Sequence, residues 1–212
     1  MRADPVTSRP AQHDHEAATA GGVAYRAVKR GMDIVLGSVM LAASLPVIAV
    51  AAAAVVFETP GSPFFLQWRA SVGGRPFRII KLRTMVAKAD RLGPVLTQLR
   101  DPRITTVGSL LRRWSVDELP QLVNVLAGQM SLVGPRPEVL PIVATYPVRH
   151  RGVLSVQPGL TGWAQVHGRD ELSIPDKLEL EMEYVTSRSI AMDLRILART
   201  VLIVLTGRGV TR

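Results

Sequence analysis

Two adjacent carboxylates, Asp117 and Glu118, are the first residues of this 212-residue chain whose types could do chemistry. They lie in the string RRWSVDELPQ, where a helix is predicted to begin. Because neighbouring helical residues point about 100° apart, the two carboxylates need not do the same job. A structural explanation stays open: Ser115 with Glu118 fits a capping box, and Asp117 alone would serve as an N-cap. Pro120 favours Asp117 as the cap, since the proline then falls in the first turn, where its missing N–H is not needed.

A rigidly presented guanidinium is the second such feature. In the string SLVGPRPE, Arg136 stands between Pro135 and Pro137, which fix φ on either side of it and restrict the backbone before each ring. Such an arginine suits the binding of an anionic ligand. A plain connector between two helices would also use glycine and proline, so both interpretations stay open.

A turn-rich loop, QPGLTGWAQVHGRDE at residues 157–171, adds further polar and aromatic groups. It contains Trp163, Gln165, His167 and Arg169. The loop could close over a nucleotide, or it could only join two helices.

An uncharged segment at residues 34–57, of roughly 24 residues, is the strongest feature of the N-terminal third. As a straight helix it would be about 36 Å long, enough to cross a hydrocarbon core of about 30 Å. Pro46 lies at its centre, and a sharp bend there would leave arms of about 18 to 20 Å, each enough for one leaflet only. A signal peptide does not fit, because its apolar stretch would be shorter and nearer to the start.

The charges at both ends of this segment favour the bent form. The basic residues that precede and follow it are Arg26, Lys29 and Arg30, and then Arg69, Arg75, Arg78, Lys81 and Arg83. Both ends therefore look cytoplasmic under the positive-inside tendency. We predict a re-entrant membrane helix over residues 25–58. A kinked single-pass anchor remains the alternative, since spanning helices tolerate proline.

The rest of the chain is predicted to be mainly α with a small β-hairpin, which is an α+β fold. Alternation in PFFLQWRA and RPFRIIKLRTM predicts the hairpin at about residues 63–84, with Gly73 and Gly74 supplying the positive φ values of a tight turn. Helical spacing predicts helices near residues 85–99, 107–114, 117–129, 137–149, 173–187 and 190–206. The predicted organisation is a disordered tail at 1–24, the membrane helix at 25–58 and a cytoplasmic domain at 59–212.

For two predicted surfaces the sequence leaves two interpretations open. Basic groups on the second hairpin strand could face a ligand or lipid headgroups, or they could be a solvated strand face. The last helix contains DLRILARTVLIVLT and is too short to span. It could lie on the membrane as an interfacial helix or pack in the core.

Composition excludes several classes of function. The chain has 26 Lys and Arg against 17 Asp and Glu, a net charge of +9, no cysteine and four His. This excludes a disulfide scaffold, a cysteine-ligated zinc and a thiol nucleophile, and makes a histidine metal cluster unexpected. A membrane-anchored nucleic-acid binder would explain the charge, but the basic residues are spread out and no groove-reading motif is present. A non-catalytic membrane scaffold would leave the DELPQ and GPRP strings without a purpose.

Four motifs in order resemble the bacterial sugar transferase family, the monotopic polyprenyl-phosphate phosphoglycosyl transferases. They are KLRTM (81–85), DPRIT (101–105), LRRWSVDELPQLVNVLAGQMSLVGPRP (111–137) and PGLTGWAQVHGR (158–169). The likeness runs from about Tyr25 to the C-terminus and is highly specific. The chain looks like the short form of the family, because no extra multi-span region precedes the apolar segment.

The resemblance implies transfer of a sugar 1-phosphate from a UDP-sugar to undecaprenyl phosphate with release of UMP, at the cytoplasmic face of the bacterial inner membrane. It implies Asp117 as the nucleophile that forms a phosphoryl-aspartate and as the contact of a Mg²⁺ cofactor, with Glu118 as the second catalytic carboxylate. A helix N-terminus would keep Asp117 ionised and receive phosphate. The substrate contacts expected from the likeness and the charges are Arg136, Lys81, Arg83, Arg69, Arg112, Arg169 and Gln165. Membrane lipid is an expected partner, nucleic acid is not, and a second copy of the chain stays open.

Three positions depart from the family pattern. Gln129 stands where an acidic residue is usual, and Glu181 where a shorter Asp is often seen. Leu45 separates Ser44 from Pro46, which are commonly adjacent. The first two leave a third catalytic carboxylate open, and the last changes the sequence at the expected bend.

Overall fold

The computed structural model describes residues 22–89, 92–93, 101–168 and 172–206. Its helices and strands are α1 Val23–Glu58, β1 Phe64–Ala70, β2 Pro76–Leu82, α2 Thr106–Arg113, α3 Leu122–Leu126, β3 Ser131–Val133, α4 Leu140–Ala144, β4 Gly159–Thr161, α5 Ile174–Ser187 and α6 Ile190–Thr206. Short 3-10 helices cover Val72–Gly74, Val116–Gln121 and Val148–Ser155. The mainly α fold with a small hairpin is confirmed. Of the predicted tail at 1–24, residues 1–21 lie outside the described residues. Residues 23 and 24 already belong to α1.

The predicted hairpin is confirmed. β1 and β2 pair antiparallel, with Phe64 opposite Leu82 and Ala70 opposite Pro76. The connection is the 3-10 turn Val72–Gly74, in which Gly73 and Gly74 have φ of 66° and 75°. Positive φ at both glycines is the property expected of this turn, because a Cβ there would be strained.

Three of the six predicted helices are confirmed, near 107–114, 173–187 and 190–206. The helix predicted at 117–129 is wrong: a 3-10 helix, Val116–Gln121, precedes the short α3, which ends before Gly128 at φ 74°. The helix predicted at 137–149 is also wrong, since Pro141 lies in the first turn of α4 and Pro147 directly precedes the next 3-10 helix.

The helix predicted at 85–99 is not formed in its described part. Met85 forms an isolated bridge with Ile104, and turns follow it. Most of that range lies outside the described residues.

α1 is a 36-residue helix that continues through Pro46. By length and composition it could cross a membrane. One stripe of it is buried against the rest of the molecule, at Asp33, Gly37, Ser44, Ile48, Ala51 and Val55. This spacing of three, four or seven residues keeps one helical face on the domain along the apolar segment, while large apolar side chains on the other faces stay exposed.

Both ends of α1 contact the same domain. Near its start, Lys29 pairs with Asp193 of α6, and Asp33 Oδ1 accepts the Leu132 N–H of β3 at 2.9 Å. At its end, Glu58 accepts the Val107 N–H of α2. The domain therefore holds the residues just before and just after the apolar segment.

The core joins elements that are far apart in sequence. β3 is fully buried and pairs parallel with β4, a second sheet that periodicity did not predict. Around it pack residues of the hairpin and of α3, α5 and α6, namely Phe77, Ile79, Leu122, Val125, Tyr184, Val185 and Ile196. For α6, where two placements were open, the structure shows one face in this core, while Leu194, Val201 and Leu205 remain exposed.

Candidate active site

The two carboxylates lie in the 3-10 helix Val116–Gln121, between α2 and α3. Ser115, the residue before this helix, has a left-handed φ of 54° and its side chain forms no capping hydrogen bond. The structural explanations for Asp117 as an N-cap and for a Ser115–Glu118 capping box are therefore wrong. A non-glycine residue in this region costs about 1 kcal/mol or more and is found disproportionately at functional sites.

Glu118 is held by two cations. Its Oε1 accepts hydrogen bonds from Lys81 Nζ at 2.7 Å and from Arg136 Nη2 at 2.9 Å. Burial opposes ionisation of Glu118, but Arg136 and Lys81 together outweigh it and lower its pKa. Glu118 is therefore a fixed anion that joins the hairpin to the Pro135–Pro137 loop.

Asp117 has a different environment although it is the adjacent residue. It is 8% exposed, and within the described part of the chain it forms no ion pair. Burial and the charge of Glu118 raise its pKa, against the opposing influence of Lys81, Arg112 and Arg136. The expectation that a helix N-terminus keeps Asp117 ionised is not confirmed, because burial dominates.

The loop that carries Arg136 is supported from two sides. The Arg136 backbone N–H donates to Glu181 Oε1 at 3.1 Å. From the hairpin, Arg69 Nη1 donates to the Pro137 carbonyl at 3.2 Å and pairs with Glu138. Arg69 thus stabilises the loop. Its predicted contact with a substrate stays a prediction.

The other predicted site residues differ in whether they lie near the two carboxylates. Arg112 bonds Thr84 Oγ1 through Nε at 2.8 Å and is near enough to Asp117 to influence its pKa. Arg83 instead donates to the carbonyls of Thr59 and Pro60, just past α1, so its bonds are not with the carboxylates. Arg169 lies outside the described residues.

Gln165 comes to the same side of the molecule as Arg136. β3 and β4 are parallel, so the loops that follow them leave from one edge. The two loops touch, since a Cβ on Gly162 would lie 2.2 Å from the Gly134 carbonyl oxygen. Gln165 Nε2 donates to the Leu160 carbonyl, and its buried Oε1 has no hydrogen-bond partner in the described part of the chain.

Glu181 is a residue whose place near the site the sequence did not reveal. It was singled out only as a departure from the family pattern, yet it lies behind Arg136 and is 2% exposed. Burial raises the pKa of Glu181 to about 7, against the influence of Lys177. No local pattern could have found this contact, because the two residues are 45 positions apart.

The predicted Mg²⁺ contact depends on which carboxylates the site leaves available. Among the described residues no group of three or more His, Asp or Glu could hold a metal ion. Mg²⁺ commonly binds through one or two carboxylates together with substrate phosphates and water. Glu118 is already held by two cations, so Asp117 is the carboxylate that fits such a contact.

The site defines a class of protein. A buried carboxylate that forms no ion pair with any described residue, next to a second carboxylate held by Lys81 and Arg136, is an arrangement typical of an enzyme active site. Comparison with known proteins agrees with that class. The family described as Bacterial sugar transferase matches residues 24–207, and the chain belongs to this family.

Similar proteins support the same assignment. The chain is 41% identical over 184 residues to "Uncharacterized sugar transferase EpsL" of Bacillus subtilis, covering 86% of this chain and 90% of that protein. It is 40% identical over 189 residues to the UDP-glucose:undecaprenyl-phosphate glucose-1-phosphate transferase of Escherichia coli, covering 83% and 40%. A Caulobacter vibrioides protein of the same description is 41% identical over 182 residues, covering 82% and 68%. The chain thus spans nearly all of EpsL but well under half of the Escherichia coli protein.

Proposed function

We propose that this protein transfers a sugar 1-phosphate from a UDP-sugar to undecaprenyl phosphate and releases UMP. The observation that carries the proposal is the contrast at the site: Asp117 is buried and forms no ion pair with the residues that the structure describes, while its neighbour Glu118 is fixed by Lys81 and Arg136. Related proteins are named for UDP-glucose or UDP-N-acetylgalactosamine and undecaprenyl phosphate. Such a reaction is the first membrane step in the synthesis of a polysaccharide or another glycan.

The reaction proceeds in two displacements at one phosphorus atom. A carboxylate oxygen of Asp117 attacks the phosphorus that bears the sugar, the bond from that phosphorus to the bridging oxygen breaks, and UMP leaves. An oxygen of the lipid phosphate then attacks the same phosphorus and releases the Asp117 carboxylate. The product is a polyprenyl diphosphosugar. Nucleophilic catalysis of this kind divides one difficult displacement into two easier ones.

The basic side chains of the site bind the phosphates of the substrates. Arg136 is presented by a loop that Glu181 and Arg69 hold in place, so its guanidinium reaches a phosphate with little loss of freedom. Lys81, on β2, donates to the same Glu118 oxygen as Arg136. Glu118 keeps both cations near Asp117, and its lowered pKa makes it an anion at neutral pH. Bound Mg²⁺, contacted by Asp117, would neutralise diphosphate charge.

The position of α1 supports a re-entrant arrangement at the cytoplasmic face of the inner membrane. Lys29 and Glu58, on either side of the apolar segment, both bind the same domain. Because one face of α1 packs on the domain along the apolar segment, a helix that crossed the core of about 30 Å would carry polar parts of the domain into the bilayer. We expect labels at residues 26 and 75 to report the same side of the membrane. Opposite sides would require a spanning helix.

The test of the chemistry is a donor-only reaction. The purified protein is incubated with Mg²⁺ and a panel of UDP-sugars without lipid acceptor, then digested for peptide mass analysis. With the correct donor we expect UMP release limited to one equivalent and a sugar-phosphate adduct on the peptide that contains Asp117. An unmodified peptide under conditions that support full turnover with acceptor would rule out the covalent mechanism.

A further inference from the structure

One face of the β-hairpin is apolar and exposed. In a hairpin, residues directly opposite each other and every second residue share a face, so Phe64, Leu66 and Trp68 of β1 lie on the same side as Arg78 and Ile80 of β2. We call these five residues the hairpin face. Phe64, Leu66 and Trp68 are each between 40% and 55% exposed, and Arg78 is exposed as well. The proposed reaction gives this face no role.

The hairpin face adjoins the apolar surface of α1. Leu82, the last residue of β2, lies on the same side as the hairpin face but is buried against Ile48 and Val55 of α1. The other faces of α1 in this stretch expose large apolar side chains, such as Val47 and Val50. The exposed apolar surface of the helix and that of the hairpin are therefore neighbours around one shared contact.

The charge of the hairpin region favours an anionic surface as the partner. From residue 59 to residue 85 the sequence has five basic residues and no acidic one. Arg78 lies over the Trp68 ring at 4.6 Å, so one exposed aromatic group already carries a cation. Aromatic side chains with flanking Arg are typical of the membrane–water interface, and basic residues are attracted to anionic headgroups. A second copy of the same basic hairpin would repel it.

The hairpin is held rigidly, so its orientation is fixed. Asn124 of α3 accepts the Ile80 N–H at 3.1 Å and donates to the Arg78 carbonyl at 2.8 Å, which ties β2 to the domain. Lys81, the next residue, points to the other side of the strand and binds Glu118. Whatever covers the hairpin face therefore lies one strand thickness from the candidate active site.

We propose that the hairpin face docks on the anionic headgroup layer of the membrane and sets the depth of Lys81 relative to the lipid phosphate. This inference rests on the proposed function, because it needs α1 in the bilayer. The hairpin then acts as a second membrane contact, separate from α1. It places Lys81 close to the level where a polyprenyl phosphate presents its charge.

The experiment measures how close Trp68 comes to lipid. The chain has three tryptophans, so Trp114→Phe with Trp163→Phe leaves Trp68 as the only one. The full-length variant is reconstituted in phosphatidylglycerol–phosphatidylcholine bilayers, with and without lipids brominated near the carbonyl end of the acyl chains. Since interfacial groups insert about 5–10 Å, we expect bromine to quench Trp68 emission by roughly half or more. The matched control keeps only Trp163, which packs against the core, and should show little quenching.

A second reporter separates this inference from the proposed function. Val50→Trp in a background without the three native tryptophans reports on α1 itself. Quenching at residue 50 without quenching at residue 68 would overturn the hairpin docking while leaving the membrane helix intact. Absence of quenching at both would overturn the membrane placement as well. Since the chain has no native cysteine, Leu66→Cys can reveal a second copy on this face, and efficient cross-linking between copies would also contradict lipid docking.

Discussion

Two buried clusters of carboxylates differ in whether each acid is held by hydrogen bonds or ion pairs from the described residues. Where α1 docks, Asp193 accepts hydrogen bonds from Tyr25, Lys29 and Tyr184, and Asp33 accepts two from β3. At the candidate active site Glu118 is similarly held, but Asp117 forms no ion pair with any described residue.

A buried charge without a partner lowers stability, so folding alone does not account for Asp117. The docking cluster satisfies its carboxylates within the protein. The active-site cluster leaves one for a ligand. The comparison therefore separates acids whose contacts hold the fold from Asp117, which the described contacts leave available to a ligand.

The largest expected effect is on activity, from Asp117→Asn. Removing the nucleophile should lower sugar-phosphate transfer by roughly 10⁴-fold or more, measured as UMP release with donor and acceptor. Asp176→Asn, at an exposed acid in the first turn of α5, should keep wild-type turnover. Turnover within tenfold of wild type in the Asp117 variant would contradict its role.

The same variant should be more stable than the wild type at neutral pH. Burial raises the folded-state pKa of Asp117 above its ordinary value of 3.8, so ionisation disfavours the folded state as pH rises through that window. Asparagine removes this penalty. Thermal unfolding should show a higher Tm for Asp117→Asn at pH 7, and the difference should shrink towards zero below about pH 4. A lower Tm at pH 7 would mean that the ionised carboxylate stabilises the fold.

The docking cluster should respond in the opposite way. Asp193→Ala leaves Lys29 and two tyrosine hydroxyls without their shared acceptor, and breaking a buried pair destabilises by about 3–5 kcal/mol. Denaturant unfolding should show this loss, while the protein that remains folded should keep its specific activity. Glu183→Ala, an exposed acid of α5, is the matched control and should change stability by less than about 0.5 kcal/mol. A stable but inactive Asp193 variant would assign this cluster to catalysis.

Lys81→Met tests whether Glu118 depends on both of its cations. Removing one preorganised cation should lower kcat/KM by about 10²-fold, with the exposed Arg151→Met as control. The change should also raise the pKa of Glu118, because Lys81 is one of the two groups that lower it.

The stabilisation from a lowered carboxylate pKa is present above the ordinary value of 4.5 and is lost as pH falls through the folded value. The acid limb of the stability profile should therefore move to higher pH in the variant. An unchanged acid limb would show that Arg136 alone sets the ionisation of Glu118.

Local patterns predicted the elements but not the contacts between them. Alternation and paired glycines were enough for the hairpin, the long uncharged run was enough for α1, and helical spacing was enough for α5 and α6. Sequence motifs brought Asp117, Glu118, Lys81 and Arg136 to attention, and the structure places them together. The parallel β3–β4 pair could not be predicted, because each strand has three residues and their pairing is decided by tertiary burial.

The predicted helix boundaries were wrong where the backbone leaves the regular α conformation. The prediction for 117–129 assumed that Asp117 begins an ordinary helix, whereas Ser115 has positive φ and a 3-10 helix follows. Spacing of apolar residues does not report a left-handed residue or a tighter helix. The opposite pKa directions of Asp117 and Glu118 were likewise invisible, because the cations that hold Glu118 lie 37 and 18 residues away.

The smallest expected effect tests whether the turn before the carboxylates is shaped for function. Ser115 has φ of 54°, a conformation that glycine adopts without a Cβ penalty, so Ser115→Gly should stabilise the protein by about 0.5–1 kcal/mol. The comparable change at Ser109, in the middle of α2, should destabilise by a similar amount, since glycine is unfavourable inside a helix. We expect chemical denaturation to give these opposite signs. If Ser115→Gly is stabilising but lowers kcat, the serine side chain serves the reaction and not the fold, which would add a polar group to the contrast between the two clusters.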